Sequence, residues 1–157
     1  KTTIVKPNWL NPVHMLAFGF GSGAAPKAPG TFGTIAAVLL YWPLSKLSFD
    51  HYMLMILVTS VVGVYLCGKT AKDLGVHDHG GIVWDEFVGF WITMIAAPVG
   101  WVWILVGFLL FRFFDIVKPW PINWIDKKIS GGFGIMLDDV IAGVMAALVL
   151  QGLAWWV

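Results

Sequence analysis

A single cysteine, Cys67, stands among 157 residues, so no disulfide can form within the chain. Charge is scarce as well: Asp, Glu, Lys and Arg make up 12% of the residues, against roughly 25% in an ordinary soluble domain. The net charge of +1 has neither a basic face nor an aromatic stacking platform behind it, which argues against a nucleic-acid partner. The opening K-T-T-I-V-K-P-N-W-L lacks a long apolar core and a small-residue cleavage site, so no signal peptide is expected, and a start at Lys1 suggests a trimmed N-terminus. No Ser or Cys stands beside a His/Asp relay, and Cys67 lies within an apolar run, which points away from nucleophilic catalysis by either residue.

What fills the chain instead is hydrocarbon. Hydrophobic residues reach 59%, mean hydropathy is +0.81 and ten Trp are present. That composition describes an integral membrane protein with aromatic residues at the interfaces. The length suits one membrane-embedded domain over 1–157. The apolar runs predict an all-α protein of about five short transmembrane or re-entrant helices, at 31–45, 52–68, 83–97, 101–114 and 136–157. From Ile82 to Ile116 the chain is apolar almost throughout, and as one helix it would be about 50 Å long, too long for a hydrocarbon core of about 30 Å. A-P-V-G at 97–100 holds both helix breakers, so a helical hairpin broken near Pro98–Gly100 is expected. K-T-A-K-D-L-G-V-H-D-H-G-G, from Lys69, reads as a polar loop.

Charge placement supports this layout. With the hairpin, every Lys and the single Arg fall on one side of the membrane, Lys46 excepted, and the positive-inside rule makes that side cytoplasmic. Every acidic residue except Asp50 falls there too. Asp85 and Glu86 would open one helix, Asp115 would close another, and Asp138 and Asp139 would open the last. Five carboxylates at mid-membrane would cost on the order of 15 kcal/mol, so they belong near the interface or around cations.

The two acidic pairs have similar settings, W-D-E-F-V-G at 84–89 and L-D-D-V-I-A-G at 137–143. Gly89 and Gly143 would let the two helices approach closely and bring the pairs together. Converging carboxylates repel one another unless a divalent ion lies among them, and hard oxygen ligands select Mg²⁺ or a similar ion. The plainer account is that acidic residues at helix N-termini merely complement the dipole. Lys27, Arg112 and Lys118 are the candidate phosphate partners, Arg112 above all because it interrupts an apolar run three residues before Asp115. Interfacial snorkelling is the plain account of the cations, and it suits Lys127 and Lys128 best. In G-S-G-A-A-P-K-A-P-G-T, which is not a Walker loop, irregular backbone with Ser22 and Thr31 could also receive a phosphate. Asp78 and His79 are weaker metal candidates, in a loop tip where histidine commonly has no ligand role.

These same residues carry a resemblance. G-S-G-A-A-P-K-A-P-G-T-F-G-T, V-W-D-E-F-V-G and F-R-F-F-D-I-V-K-P-W-P-I, followed by G-G-F-G-I-M-L-D-D-V-I-A-G, resemble the phosphatidylglycerophosphatase A family of bacteria, in order and over about Pro12 to Gly152. The resemblance implies Mg²⁺-dependent removal of the terminal phosphate of phosphatidylglycerophosphate, giving phosphatidylglycerol, by a multi-pass protein of the bacterial inner membrane. It implies catalytic and metal roles among Asp85, Glu86, Asp115, Asp138 and Asp139, with Arg112 and Lys118 on the phosphate. The expected partners are the bilayer and an anionic phospholipid substrate, with no obligate protein partner. The alternatives are a small cation transporter, or a structural membrane subunit with an acidic ion-binding cluster.

Overall fold

The computed structural model describes residues 11–17, 29–74, 83–129 and 131–156, and for 14, 16 and 29–32 the backbone alone. All regular structure among the described residues is helical: α1 (Pro12–Ala17), α2 (Pro29–Leu44), α3 (Phe49–Leu74), α4 (Trp84–Thr93), α5 (Trp101–Val117), α6 (Ile122–Lys128) and α7 (Gly131–Trp156). Several boundaries follow from local chemistry. Pro29 opens α2, where its missing N–H is no loss. Ser48 starts α3 by accepting the His51 N–H on its Oγ at 3.3 Å. The α4–α5 hairpin is broken as expected: α4 stops at Thr93 and α5 begins at Trp101. Pro98 explains the early stop, since its ring would clash with the carbonyl four residues back, at Met94, and Ala97 before it is driven out of helical geometry.

Besides that early stop, three further departures from expectation bear on the site end of the bundle. α3 continues past residue 68 to Leu74, because Lys69 and Asp73 form an (i, i+4) ion pair at 2.7 Å that supports a helix through polar sequence. A short amphipathic helix, α6, lies between α5 and α7, burying Ile122 and Ile125 while Lys127 and Lys128 occupy its last turn. α7 begins at Gly131, so Asp138 and Asp139 lie about two turns inside it rather than at its start. A dipole role therefore does not account for that pair.

Two helices, at Phe49–Asp73 and Gly131–Trp156, are long and apolar enough to cross a bilayer. α2 and α5 are shorter, at 16 and 17 residues, and α4 has 10, about 15 Å of helix. α4 is the centre of the bundle. It packs on α7, α2, α3 and α5, and its residues from Phe87 to Thr93 are all buried. Large apolar side chains face outward instead, among them Leu54, Leu57 and Val61 of α3, Leu105 and Leu109 of α5, and Leu148 of α7. An apolar exterior around a buried central helix suits a lipid surround.

Polar groups in this core are matched individually. The Trp84 indole donates to the Thr59 carbonyl at 3.1 Å, and the Trp91 indole to the Ala37 carbonyl at 3.2 Å. The Tyr52 hydroxyl donates to the Trp91 carbonyl, and the Gln151 amide to the carbonyls of Ile95 and Ala96 in the hairpin turn. These contacts place the hairpin turn at the same end as the α2–α3 link with Lys46. At the other end, Gly68 of α3 touches Gly132 of α7, backbone to backbone. Lys69, Lys72, Arg112, Lys118, Lys127 and Lys128 all belong to that second end.

A close approach also joins α4 to α7. A Cβ on Gly143 would lie 2.5 Å from the Gly89 carbonyl oxygen, and one on Gly89 would collide with the Phe111 ring. Gly143→Ala is therefore expected to destabilise the protein by about 1–3 kcal/mol. Gly152→Ala, where a Cβ meets nothing within 4 Å, should be neutral or slightly stabilising. Thermal unfolding of the detergent-solubilised variants compares them, and equal melting temperatures would contradict the tight α4–α7 seam.

Candidate active site

The α4–α7 seam decides where the carboxylates go. The two helices run parallel away from one end of the bundle. Asp85 precedes Gly89 by four residues, and Asp139 precedes Gly143 by four. With the glycines in contact, Asp85 and Asp139 are brought to the same level. Glu86 joins them from the first turn of α4, and one carboxylate oxygen from each of the three lies within 4.8 Å of the others. Asp85 and Asp139 are buried and Glu86 is half-buried. Asp85 Oδ1 also accepts the Glu86 N–H at 3.0 Å.

Three carboxylates this close repel one another unless a cation or a proton intervenes. Ligands on opposite sides of Mg²⁺ at about 2.1 Å are about 4.2 Å apart, and about 4.8 Å apart around Ca²⁺ at 2.4 Å. The observed spacing fits one hard divalent ion with little movement. The donor set, all carboxylate oxygen, is of the kind such ions prefer.

Beside this group lies a chain of opposite charges. Arg112 Nη1 contacts Asp115 Oδ2 at 2.5 Å and Glu86 Oε1 at 3.5 Å. The spacing of Arg112 and Asp115, three residues along α5, puts them on one face. The Thr34 hydroxyl of α2 donates to Glu86 Oε1 at 3.4 Å. Lys118, the left-handed C-cap of α5, reaches Asp115 Oδ1 at 3.8 Å. Burial alone would lower the Lys118 pKa, but the negative charges of Asp115, Asp139, Asp138 and Asp126 outweigh it and hold the ammonium above its ordinary value. Lys118 thus stays protonated at any physiological pH. Arg112 Nε is buried and makes no hydrogen bond among the described residues.

The structure thus sorts the expected residues. Asp85, Glu86 and Asp139 converge; Asp138, also buried, lies outside the three-oxygen group. Asp115 faces the cations. Thr31 lies in α2, with only its backbone described, while Ser22, Lys27, Asp78 and His79 lie outside the described residues. The flanks of the Gly-rich segment are nevertheless placed: Val83, just before α4, donates its N–H to the Ala17 carbonyl at 2.8 Å and packs against Gly33. Sequence reading missed Thr34 and Asp126. Thr34 is three residues after Thr31 in T-F-G-T and so shares its face, a signal that helix phasing could have supplied.

Fold and site together define an all-helical, membrane-type protein with an acidic site, able to hold a metal ion, at one end of its bundle. The profile of the phosphatidylglycerophosphatase A family matches residues 15–154. The chain is 52% identical over 141 residues to phosphatidylglycerophosphatase A of Escherichia coli, covering 89% of this chain and 82% of that protein. It is 50% identical over 153 residues to phosphatidylglycerophosphatase A of Haemophilus influenzae, covering 96% and 94%. A Bacteroides thetaiotaomicron protein with the provisional name phosphatidylinositol-3-phosphatase is 38% identical over 159 residues, covering 96% and 97%. No solved structure matches the chain. The chain belongs to the phosphatidylglycerophosphatase A family.

The Arg112–Asp115 pair is the firmest contact at the site, and both side chains are largely shielded from solvent. A double-mutant cycle of Arg112→Met and Asp115→Asn, read by thermal unfolding, is expected to give a coupling of about 1–3 kcal/mol. Additivity within about 0.5 kcal/mol would show that the pair does not hold the site together.

Proposed function

We propose that this chain is an Mg²⁺-dependent lipid phosphatase that hydrolyses the terminal phosphomonoester of phosphatidylglycerophosphate to phosphatidylglycerol and phosphate. The observation that carries the reading is the three-carboxylate group of Asp85, Glu86 and Asp139, adjoining Arg112 and Lys118 at the end of an apolar bundle. Family membership supplies the substrate, since the geometry by itself speaks only for a phosphorylated, membrane-borne ligand. The whole of 1–157 would act as one domain in the bacterial inner membrane, crossing it several times. The carboxylate end would face the cytoplasm, because it gathers six of the described cations against Lys46 at the other end.

In this reading Asp85, Glu86 and Asp139 hold the ion. Bound there, Mg²⁺ would supply Lewis acidity toward a phosphoryl oxygen and would neutralise charge on the phosphate. Arg112 is held by Asp115 and Glu86 through Nη1, which leaves Nε for a non-bridging phosphate oxygen. Asp115 is then a positioning residue rather than a ligand. Lys118, at the mouth of the site, neutralises a second oxygen. Ser22, Lys27 and Thr31, on the Gly-rich stretch shared with the family, are the further candidates for the phosphate. Asp138, outside the ligand group, is the candidate for proton transfer. In the hydrolysis the P–O bond to glycerol breaks, a bond from water oxygen to phosphorus forms, and the glycerol oxygen takes up a proton.

An ion path is disfavoured by the placement of polar groups. The site carboxylates gather at one end, while Ile104 to Phe111 of α5 and Val140 to Leu150 of α7 offer a permeating ion nothing.

Purified protein is expected to release phosphate from phosphatidylglycerophosphate, to lose that activity in EDTA and to regain it with Mg²⁺. Asp139→Asn should lower kcat/KM by about 10³ and raise the Mg²⁺ requirement. Asp138→Asn should lower kcat by about 10² with the Mg²⁺ requirement unchanged. Full activity in EDTA would refute the metal role.

A further inference from the structure

We infer that the groove between α2 and α5 receives an acyl chain of the substrate lipid from the side, in continuity with the carboxylate site. This rests on the reading of that site as one for a phosphorylated lipid. The groove is about 320 Å³ in volume and its walls are apolar throughout, within the range of small-molecule sites. Val38 of α2 and Ile104 and Phe108 of α5 form its half-buried floor, and Leu39 and Leu105 its exposed rims. Leu39 is 70% exposed, so the groove opens sideways to what surrounds the bundle rather than to an internal cavity.

Its direction is what names the occupant. From Trp101 to Phe108 the groove follows α5 for about 10 Å at 1.5 Å per residue. Arg112 lies one turn beyond Phe108, and Ile35, at the same end of the α2 wall, directly follows Thr34, which donates to Glu86. The apolar channel therefore ends where the carboxylate–arginine network begins. A lipid whose phosphate sits among Arg112, Lys118 and the carboxylates must run its chains along the helix axes, away from that end. The α2–α5 groove offers this path. A larger hollow of about 540 Å³ around Tyr41, Lys46 and Pro98 shares Trp101 and Ile104 with the far end of the groove, and lies away from the carboxylate–arginine network.

An occupied groove predicts that chain length matters and that filling the groove abolishes the difference. Phosphatidylglycerophosphates with sixteen-carbon and six-carbon chains are compared in the same detergent micelles. The wild type should favour the long chains by about tenfold in kcat/KM. Leu105→Trp should reduce that preference to within about twofold, mostly through a raised KM for the sixteen-carbon substrate. Leu39→Trp fills the groove from the opposite wall and should act alike if Leu105→Trp fails to fold. Leu57→Trp, on the outer face of α3, should alter neither substrate. Equal rates for both chain lengths in the wild type, or equal losses on both in the groove variants, would overturn the inference while leaving the phosphatase reading intact. A change of oligomeric state in the groove variants, measured by light scattering, would overturn it in favour of a second copy of the chain covering the groove. If the wild type hydrolyses neither substrate, the reading of the site fails and the groove assignment falls with it.

Discussion

Everything at the site depends on how closely α4 and α7 can approach. Gly89 and Gly143 face each other across the seam, and a Cβ on Gly143 would lie within 2.5 Å of the opposite backbone. Membrane helices gain little from hydrophobic association among themselves, so van der Waals contact between small residues supplies much of their attraction. Because the helices are parallel and each carries its Asp four residues before its Gly, closing the seam also levels Asp85 with Asp139. Packing geometry and carboxylate geometry are thus one constraint. Thr93 reinforces it from below, donating to the Gly89 carbonyl on its own helix and lying 3.4 Å from the Gly143 carbonyl on the other.

That closeness creates an electrostatic problem, and the surrounding helices answer it. Three carboxylates in a weakly solvated site are unfavourable unless cations or protons compensate. α5 delivers Arg112 against Glu86 and Asp115. Its C-cap delivers Lys118, whose charge is stabilised by four surrounding acids. Asp85, Glu86 and Asp139 still bring one oxygen each within 4.8 Å of the others, and that convergence is where a divalent ion is proposed to act. The same arrangement separates two kinds of carboxylate. Asp115 faces Arg112 and Lys118, Asp85 and Asp139 face Glu86, and Glu86 reaches both groups through its contact with Arg112.

The bundle around this site is built for a surround of hydrocarbon. α4 is too short to span a bilayer and is enclosed by its neighbours, so its carboxylate-bearing end is held at a depth fixed by α2, α3, α5 and α7. Exposed Trp120 and Trp124, with Lys127 and Lys128, flank the site end through α6. Amphipathic pieces with aromatic and basic residues are characteristic of an interface. Such a frame suits the proposed phosphate chemistry at the head group of a lipid whose chains stay in the membrane.

Hydropathy and helix breakers alone determined that the chain is helical, that it turns back near Pro98, and that most of the described acidic and basic residues gather at one end, Lys46 and Asp50 excepted. Those features follow from local rules: apolar runs of limited length, a ring with no N–H, and the cost of charge in hydrocarbon. The paired D-x-x-x-G spacing also announced that the two acidic pairs could meet. Tertiary structure decided the rest. Asp138 and Asp139 looked alike in sequence, but helix phase gives them different neighbours, and only Asp139 joins the three-oxygen group. α3 continued through polar residues because an ion pair supported it, and Thr34 entered the site in the phase set by α2. A carboxylate's identity is local, whereas its partners are chosen by packing between segments far apart in the chain. The sequence therefore named the chemical groups, and only the fold could say which three converge.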